Sequence, residues 1–270
     1  MKRIKYDGKT VIITGASSGI GRSVAFLLIR KYKCKVIAIA RNEQKLLSAK
    51  EELSELGELY VPYPMDVSVK ESWDALATYL KESATCVDIL ISCAGVLPQF
   101  KKFEDTNAKE LESVLKINFL SQVWASKALM PLISDKGAIV NVSSASALLP
   151  FGGVSAYTSS KAASEHFSLA LACETKRISV SCVMPGFVRT DIMKNQEMSE
   201  KDARFIRFFS AKCDTVSRKI VNRVKRRKRR IVIGKDAHLM SLLERLFPRL
   251  SPRLVTWFLK KSGLSLFKDI

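Results

Sequence analysis

Acidic side chains are what this chain most lacks: 26 Asp and Glu stand against 45 Lys and Arg, leaving a formal net charge of +19. A field of that size favours anionic partners, whether nucleic acid, anionic lipid or anionic small molecules. Long apolar runs are missing too. No stretch reaches the roughly 18 apolar residues of a membrane span, and Met1-Lys2-Arg3-Ile4-Lys5-Tyr6-Asp7-Gly8 holds no apolar signal region before the first strand. Neither export nor a spanning anchor is expected, which places the chain in the cytoplasm or peripherally on a membrane face. The six cysteines, Cys34, Cys86, Cys93, Cys173, Cys182 and Cys213, have neither metal-ligand spacing nor the density of a disulfide framework. A reducing compartment and no metal site follow. Internal repeats and low-complexity linkers are absent as well, and what remains, 47% apolar and 26% charged residues in a chain of 270, is ordinary globular composition with ample core material.

Short apolar β-branched runs alternate with amphipathic helical patterns. The strands are expected at Thr10 to Thr14, Lys35 to Ile39, Leu59 to Tyr63, Val87 to Ile91, Ala138 to Ser144, Ile178 to Val183 and Ile231 to Ile233. Asn42 is placed to cap the helix after the second strand, Ser68 and Glu71 have capping-box spacing, and a long helical region enters near Thr106 or Asn107 and runs to about Ser134. This alternation predicts a Rossmann-type, doubly wound parallel α/β sheet of about seven strands. Ligands of such sheets bind beyond the C-terminal strand ends.

Candidate chemistry gathers at those ends. After the first strand, Gly15-x-x-x-Gly19-x-Gly21 opens a helix; it is not the G-x-G-x-x-G fingerprint, but a turn without side chains lets backbone N–H groups approach a pyrophosphate, and Ser17 and Ser18 add hydroxyl donors. The second strand ends at Ala40-Arg41. A carboxylate there would select the ribose hydroxyl of NAD; Arg41 instead suits the 2′-phosphate of NADP, with Arg22 adding charge, although a solvated loop arginine is the alternative. Tyr157 and Lys161 lie four apart on one helix, so a phenol and an ammonium can reach one point, and a nearby cation moves a tyrosine toward its phenolate. Ser144, at a strand end, would donate a hydrogen bond to a substrate oxygen.

Thr14-Gly15-Ala16-Ser17-Ser18-Gly19-Ile20-Gly21, Asp66-Val67, Ala94-Gly95, Asn118, Ser144, Tyr157-x-x-x-Lys161 and Pro185-Gly186-Phe187-Val188-x-Thr190 span residues 10 to 190 in order, and in this the chain resembles the short-chain dehydrogenase/reductase family. The resemblance implies one seven-stranded domain and reversible hydride transfer between NAD(P) and an alcohol or carbonyl carbon. It makes Tyr157 the general acid in reduction, Lys161 its activator and a ribose ligand, Ser144 the polariser of the carbonyl, and Asn118 the holder of a relay water. Asp66 would contact adenine, with Val67 beside it; Ile20, Ala94, Gly95, Pro185 and Gly186 would border the cofactor, and Val188 and Thr190 the carboxamide. One departure stands out: Ser92-Cys93-Ala94-Gly95 replaces the usual Asn-Asn-Ala-Gly, so asparagine side-chain bonds are lost and Cys93 reads as a packed thiol beside the cofactor.

Leu97, Phe100, Phe103, Leu148, Leu149, Phe151, Phe187, Met193, Phe205, Phe208 and Phe209 are supplied by the segments bordering the site and favour a steroid, long-chain keto-lipid or other bulky lipophilic carbonyl over a sugar. Phe205, Phe208 and Phe209 have helical spacing, suited to a lid over such a substrate or to packing that lid down. The expected organisation is an NADP(H)-dependent domain over 1–235 and an amphipathic basic extension over 236–270, with a homodimer or homotetramer as the assembly. The run Lys225-Arg226-Arg227-Lys228-Arg229-Arg230 follows a helix entered near Asp214 and favours that helix's C-terminal dipole. Together with Trp257, Phe258 and the leucines of the extension, it suggests docking on an anionic membrane, self-association or packing on the domain; no nucleic-acid module is recognisable. A catalytically silent dinucleotide sensor or scaffold is the alternative to an enzyme, and retention of Asn118, Ser144, Tyr157 and Lys161 together argues against it.

Overall fold

In the structure, a computed structural model, residues 3–194, 196, 198–268 and 270 are described. Met1 and Lys2 of the N-terminal segment, Asn195 and Glu197 of the 187–213 segment, and Asp269 of the C-terminal extension lie outside the described residues. Seven strands, β1 (Thr10–Thr14), β2 (Lys35–Ala40), β3 (Tyr60–Pro64), β4 (Val87–Ser92), β5 (Ile133–Val142), β6 (Ser179–Pro185) and β7 (Arg230–Ile233), pair in the order β3-β2-β1-β4-β5-β6-β7. Every pairing is parallel. The helices are α1 (Gly19–Tyr32), α2 (Glu43–Glu51), α3 (Lys70–Glu82), α4 (Ala108–Leu115), α5 (Ser121–Leu129), α6 (Ser155–Glu174), α7 (Glu200–Phe209), α8 (Cys213–Lys225), α9 (Lys235–Leu246) and α10 (Ser251–Lys261).

Successive strand residues point to opposite faces, so both faces must be apolar when helices cover both. Val11 and Ile13 of β1 join Val24, Leu28 and Ile29 of α1 and Ile220 and Val224 of α8 on one face. Ile12 joins Trp73, Leu76 and Leu80 of α3 and Ala125 and Leu129 of α5 on the other. Strand order reverses between β1 and β4, and the crevice above that switch point is where such sheets bind ligands. No helix among the described residues is long and apolar enough to cross a membrane.

Asn42 caps α2, its side chain accepting from Lys45 N at 2.8 Å, and Asn107 caps α4 through Lys109 N at 2.8 Å. Other local expectations give way. Ser68 makes no capping box; its N–H and hydroxyl both donate to Asp66, at 2.8 and 2.7 Å, and α3 begins after an uncapped Val69. Asp214 sits inside the first turn of α8 rather than at its cap, where it accepts from Ser23 Oγ at 2.8 Å. The helical region entered at Asn107 is not continuous to Ser134: α4 widens into a π turn over Lys116–Leu120, resumes as α5, and stops in a 3-10 turn at Met130–Leu132. Pro131 lacks the N–H a helix interior needs, so β5 opens at Ile133, ahead of its expected start at Ala138, and closes at Val142, leaving Ser143 and Ser144 beyond its end.

Residues 236–268 and 270 lie against the body. Leu264, Leu266, Phe267 and Ile270 form a small core with Met193, and Leu97, Phe100, Phe205 and Leu259 pack on it. Thr256 of α10 accepts from Gly152 N at 3.0 Å.

Candidate active site

The turn after β1 is shaped by close approach. Gly15 has φ 67°, and a Cβ on it would meet the Ala94 backbone at 3.0 Å; one on Gly21 would meet Gly15 O at 2.4 Å. Thr14 accepts from the N–H groups of both Cys93 and Ala94 at 3.0 Å, pinning the end of β4 to the turn. Thus the Thr14 hydroxyl, not the asparagine side chains absent here, holds this corner. Ser18 occupies the cap position of α1 without bonding to it, which leaves its hydroxyl for another acceptor or donor. Burial pushes the Cys93 thiol up to about 12 against the pull of Lys161, which disfavours its thiolate at the cavity wall.

Asn118 is fully buried in the π turn, where the wider turn aims its side chain across the crevice. Its Oδ1 accepts from Val96 N at 2.8 Å, while Nδ2 donates to Val96 O at 3.0 Å and Ser160 Oγ at 3.1 Å. Both amide hydrogens are therefore committed to protein. Lys161 on α6 donates to Val142 O at 3.1 Å, and its Nζ lies 5.7 Å from the Tyr157 ring centroid. Burial lowers the Lys161 ammonium to about 8, with Cys93 and Cys182 opposing. The Tyr157 phenol is pushed up, burial outweighing its hydrogen bond with Ser144, so its environment keeps it protonated and the downward pull expected from Lys161 is not the dominant influence.

Ser144, Tyr157 and Lys161 line a cavity of about 350 Å³ together with Gly15, Ser18, Gly19, Ile20, Gly21, Cys93, Ala94, Gly95, Pro185, Gly186, Val188 and Thr190. Ser17 lines a neighbouring polar cavity with Arg22 and Arg30. Asn118, Arg41, Asp66 and Val67 line neither. Arg41 is exposed past the end of β2, whereas Val67 is packed in the core. Burial disfavours the Asp66 carboxylate, but the two bonds from Ser68 and the nearby Arg41 guanidinium outweigh it and hold the carboxyl below its usual range. Arg22 is paired with Glu52, so its charge is partly spent.

Of the expected apolar border, Leu97, Phe100, Phe151, Phe187 and Met193 do line the cavity. Phe103 is 65% exposed, Leu148 and Leu149 are buried away from it, and on α7 Ile206 lines the wall while Phe208 stands 82% exposed. Of the three phenylalanines of α7, Phe205 packs on the Met193 core and against Phe209, while Phe208 and Phe209 are exposed, so they do not form one buried lid face. Two lining residues come from α9, Asp236 and Met240. Asp236 Oδ2 accepts from Phe187 N at 2.6 Å, and a Cβ on Gly186 would collide with this carboxylate at 2.0 Å. The pair is 49 residues apart, so no local pattern announces it. Asp236→Ala is expected to lower the unfolding free energy by about 2 kcal/mol, because a charge-assisted bond is lost and a backbone donor stranded; urea denaturation checks this, with Asp236→Asn expected to lose less.

This geometry sets a phenol and a hydroxyl, with an ammonium close by, at one end of an apolar cavity, and a glycine turn at the other. Residues 9–201 match the family model for short chain dehydrogenase. An NADP-dependent 3-hydroxy acid dehydrogenase of Schizosaccharomyces pombe is 35% identical over 192 residues, covering 69% of this chain and 74% of its own. A 3-ketodihydrosphingosine reductase of Bos taurus is 30% identical over 261 residues, 90% of this chain and 76% of its own. A crystal structure of a short-chain dehydrogenase from Streptomyces avermitilis superposes with a TM-score of 0.79 at 26% identity, over 96% of this chain and 99% of that one. The chain belongs to the short-chain dehydrogenase family of oxidoreductases.

Proposed function

We propose that the chain is an NADP(H)-dependent oxidoreductase that interconverts a lipophilic ketone or aldehyde and its alcohol. The observation that carries this reading is the meeting of Ser144, Tyr157 and Lys161 in an apolar cavity that also touches the Gly15–Gly21 turn. A dinucleotide fits the turn: Gly15 and Gly21 leave no room for a Cβ, and Ser18 keeps a hydroxyl unspent at the N-terminus of α1. Gly15, Ser17, Ser18, Gly19, Ile20 and Gly21 would hold the pyrophosphate, Asp66 and Val67 the adenine side, and Cys93, Ala94, Gly95, Pro185, Gly186, Val188 and Thr190 the nicotinamide side. When bound, NADPH supplies the hydride.

The remaining chemistry belongs to the chain. Ser144 donates a hydrogen bond to the carbonyl oxygen and Tyr157 transfers its phenolic proton to the same atom, becoming phenolate as the alcohol forms. Lys161, still largely cationic at neutral pH, offsets that new negative charge and offers a donor to a ribose. Asn118 fixes Val96 and Ser160 around the site. The apolar residues Leu97, Phe100, Phe151 and Met193 favour a steroid or long-chain ketone, as does alignment over 90% of this chain with a reductase whose name specifies a ketosphingoid. NADPH oxidation followed by absorbance against steroid and long-chain ketones tests the reading; tight NADPH binding with no turnover of any lipophilic carbonyl would count against it.

Arg41 carries the preference for NADP. It lies close enough to Asp66 to hold that carboxyl down, with no ion-pair partner among the described residues. Arg41→Ala is expected to raise the Kd for NADPH by roughly ten- to a hundredfold, the value of a charge-assisted phosphate contact, and to leave that for NADH unchanged. Fluorescence titration measures both, and an unchanged NADPH affinity would remove Arg41 from the cofactor site.

A further inference from the structure

The helices at the end of the chain are apolar on the wrong side. At about 100° per residue, Leu239, Leu242 and Leu246 lie about 140–200° around α9 from the buried Ala237, and all three are more than half exposed. On α10 the inward side is marked by Thr256, bonded to Gly152, and by Leu259, packed on the Met193 core. Leu254, Trp257 and Phe258 point the other way and are 56%, 61% and 58% exposed. Phe247 and Leu250, in the connection, are exposed too. A helix facing water turns polar residues outward; here two consecutive helices do the reverse, which marks a contact surface.

Charge identifies the occupant. Lys235, Arg245, Arg249, Arg253, Lys260 and Lys261 are all exposed around this face. None of these cations has an ion-pair partner among the described residues, and Asp236, the nearest carboxylate in sequence to Lys235, is turned inward onto Phe187. A second copy would bring the same cations to the contact, each chain carrying +19, and like charges oppose that pairing. We propose that the outer face of α9 and α10 docks on an anionic lipid bilayer, with Leu239, Leu242, Leu246, Leu254, Trp257 and Phe258 among the acyl chains and the cations at the headgroups. The same α9 lines the active-site cavity through Met240 on its inner side, so the docked helix forms a wall between lipid and site.

Co-sedimentation of the full chain with phosphatidylcholine vesicles, with or without phosphatidylserine, tests this. Partition onto the serine-containing vesicles, loss with added salt, and a drop of about tenfold or more in the Leu242→Glu/Trp257→Glu and Arg249→Glu/Arg253→Glu variants are expected. All substituted positions are exposed, so unchanged thermal unfolding will accompany the loss. Failure of the wild-type chain to bind the anionic vesicles overturns the proposal, as does binding by both variants as strong as that of the wild type. A wild-type dimer in light scattering that Leu242→Glu/Trp257→Glu converts to monomer, without vesicle binding by either, overturns it in favour of self-association. Partition needs no substrate, so the outcome is independent of the reading of the active site.

Discussion

Replacing Tyr157 with Phe is expected to lower kcat for carbonyl reduction by roughly a hundred- to ten-thousandfold, the usual worth of a positioned proton donor, with NADPH binding unchanged. Phe keeps the ring that packs beside Lys161 and loses only the hydroxyl that meets Ser144. Single-turnover absorbance measurements separate the two effects, and full activity in the variant would take the tyrosine out of proton transfer. A pH signature accompanies it. Burial holds the Tyr157 phenol up and brings Lys161 down to about 8, so as pH rises the ammonium is lost while the phenol is still protonated. Reduction should therefore decline through about pH 8, and Lys161→Met should flatten the profile at a lower rate. Stability moves the other way. Between about 8 and the ordinary lysine value of 10.5 the unfolded state holds a proton that the folded lysine has released, so this group's contribution to stability rises with pH in that window.

Gly21→Ala is the second large effect. Its methyl would lie 2.4 Å from Gly15 O and 2.8 Å from Gly15 C, both backbone atoms of the turn itself, so no side chain can rotate away to make room. Backbone displacement costs about 1–3 kcal/mol of stability, and because the displaced atoms are those that approach the pyrophosphate, NADPH affinity should fall about tenfold or more. Gly8→Ala serves as a contrast: nothing lies within 4 Å of the added methyl, so only the left-handed strain of its φ of 66°, about 1 kcal/mol and absent at Gly21, remains. Fluorescence titration and urea denaturation report the two quantities, and an unaltered Kd in Gly21→Ala would show that the tightness of this turn does not shape the cofactor site.

Much of the fold was legible because its determinants are local. Apolar β-branched runs bounded by Gly, Asn or Pro located all seven strands, and the β1 turn, Ser144 and the Tyr157–Lys161 pair follow from strand ends and helical spacing. Where local patterns failed, a competing partner had won. Ser68 has the residues of a capping box but is taken by Asp66; the apolar period through 106–134 hides a π turn and the stop imposed by Pro131. On α7 the phenylalanines keep helical spacing, yet Ile206 faces the cavity and Phe208 faces water, because spacing gives a face and not its direction. Asp236 was beyond reach, since its partner Phe187 is brought to it only by the pairing of β6 with β7.

The π turn also constrains how the chain can change length. One extra residue in that turn sets the angular offset between α4 and α5, so Asn118 reaches Val96 while Ala125 and Leu129 still meet the sheet. Because the turn absorbs that residue, removing one between 116 and 120 would restore a regular helix with α4 and α5 near their present register, but would take away the widened turn that aims Asn118 across the crevice. The amide would leave the crevice while Ala125 and Leu129 stayed in the core. A segment in mid-helix thus serves the site alone: substitutions within it alter contacts one at a time, whereas a deletion removes the site's amide and spares the core, and insertions or deletions between related chains should fall outside it.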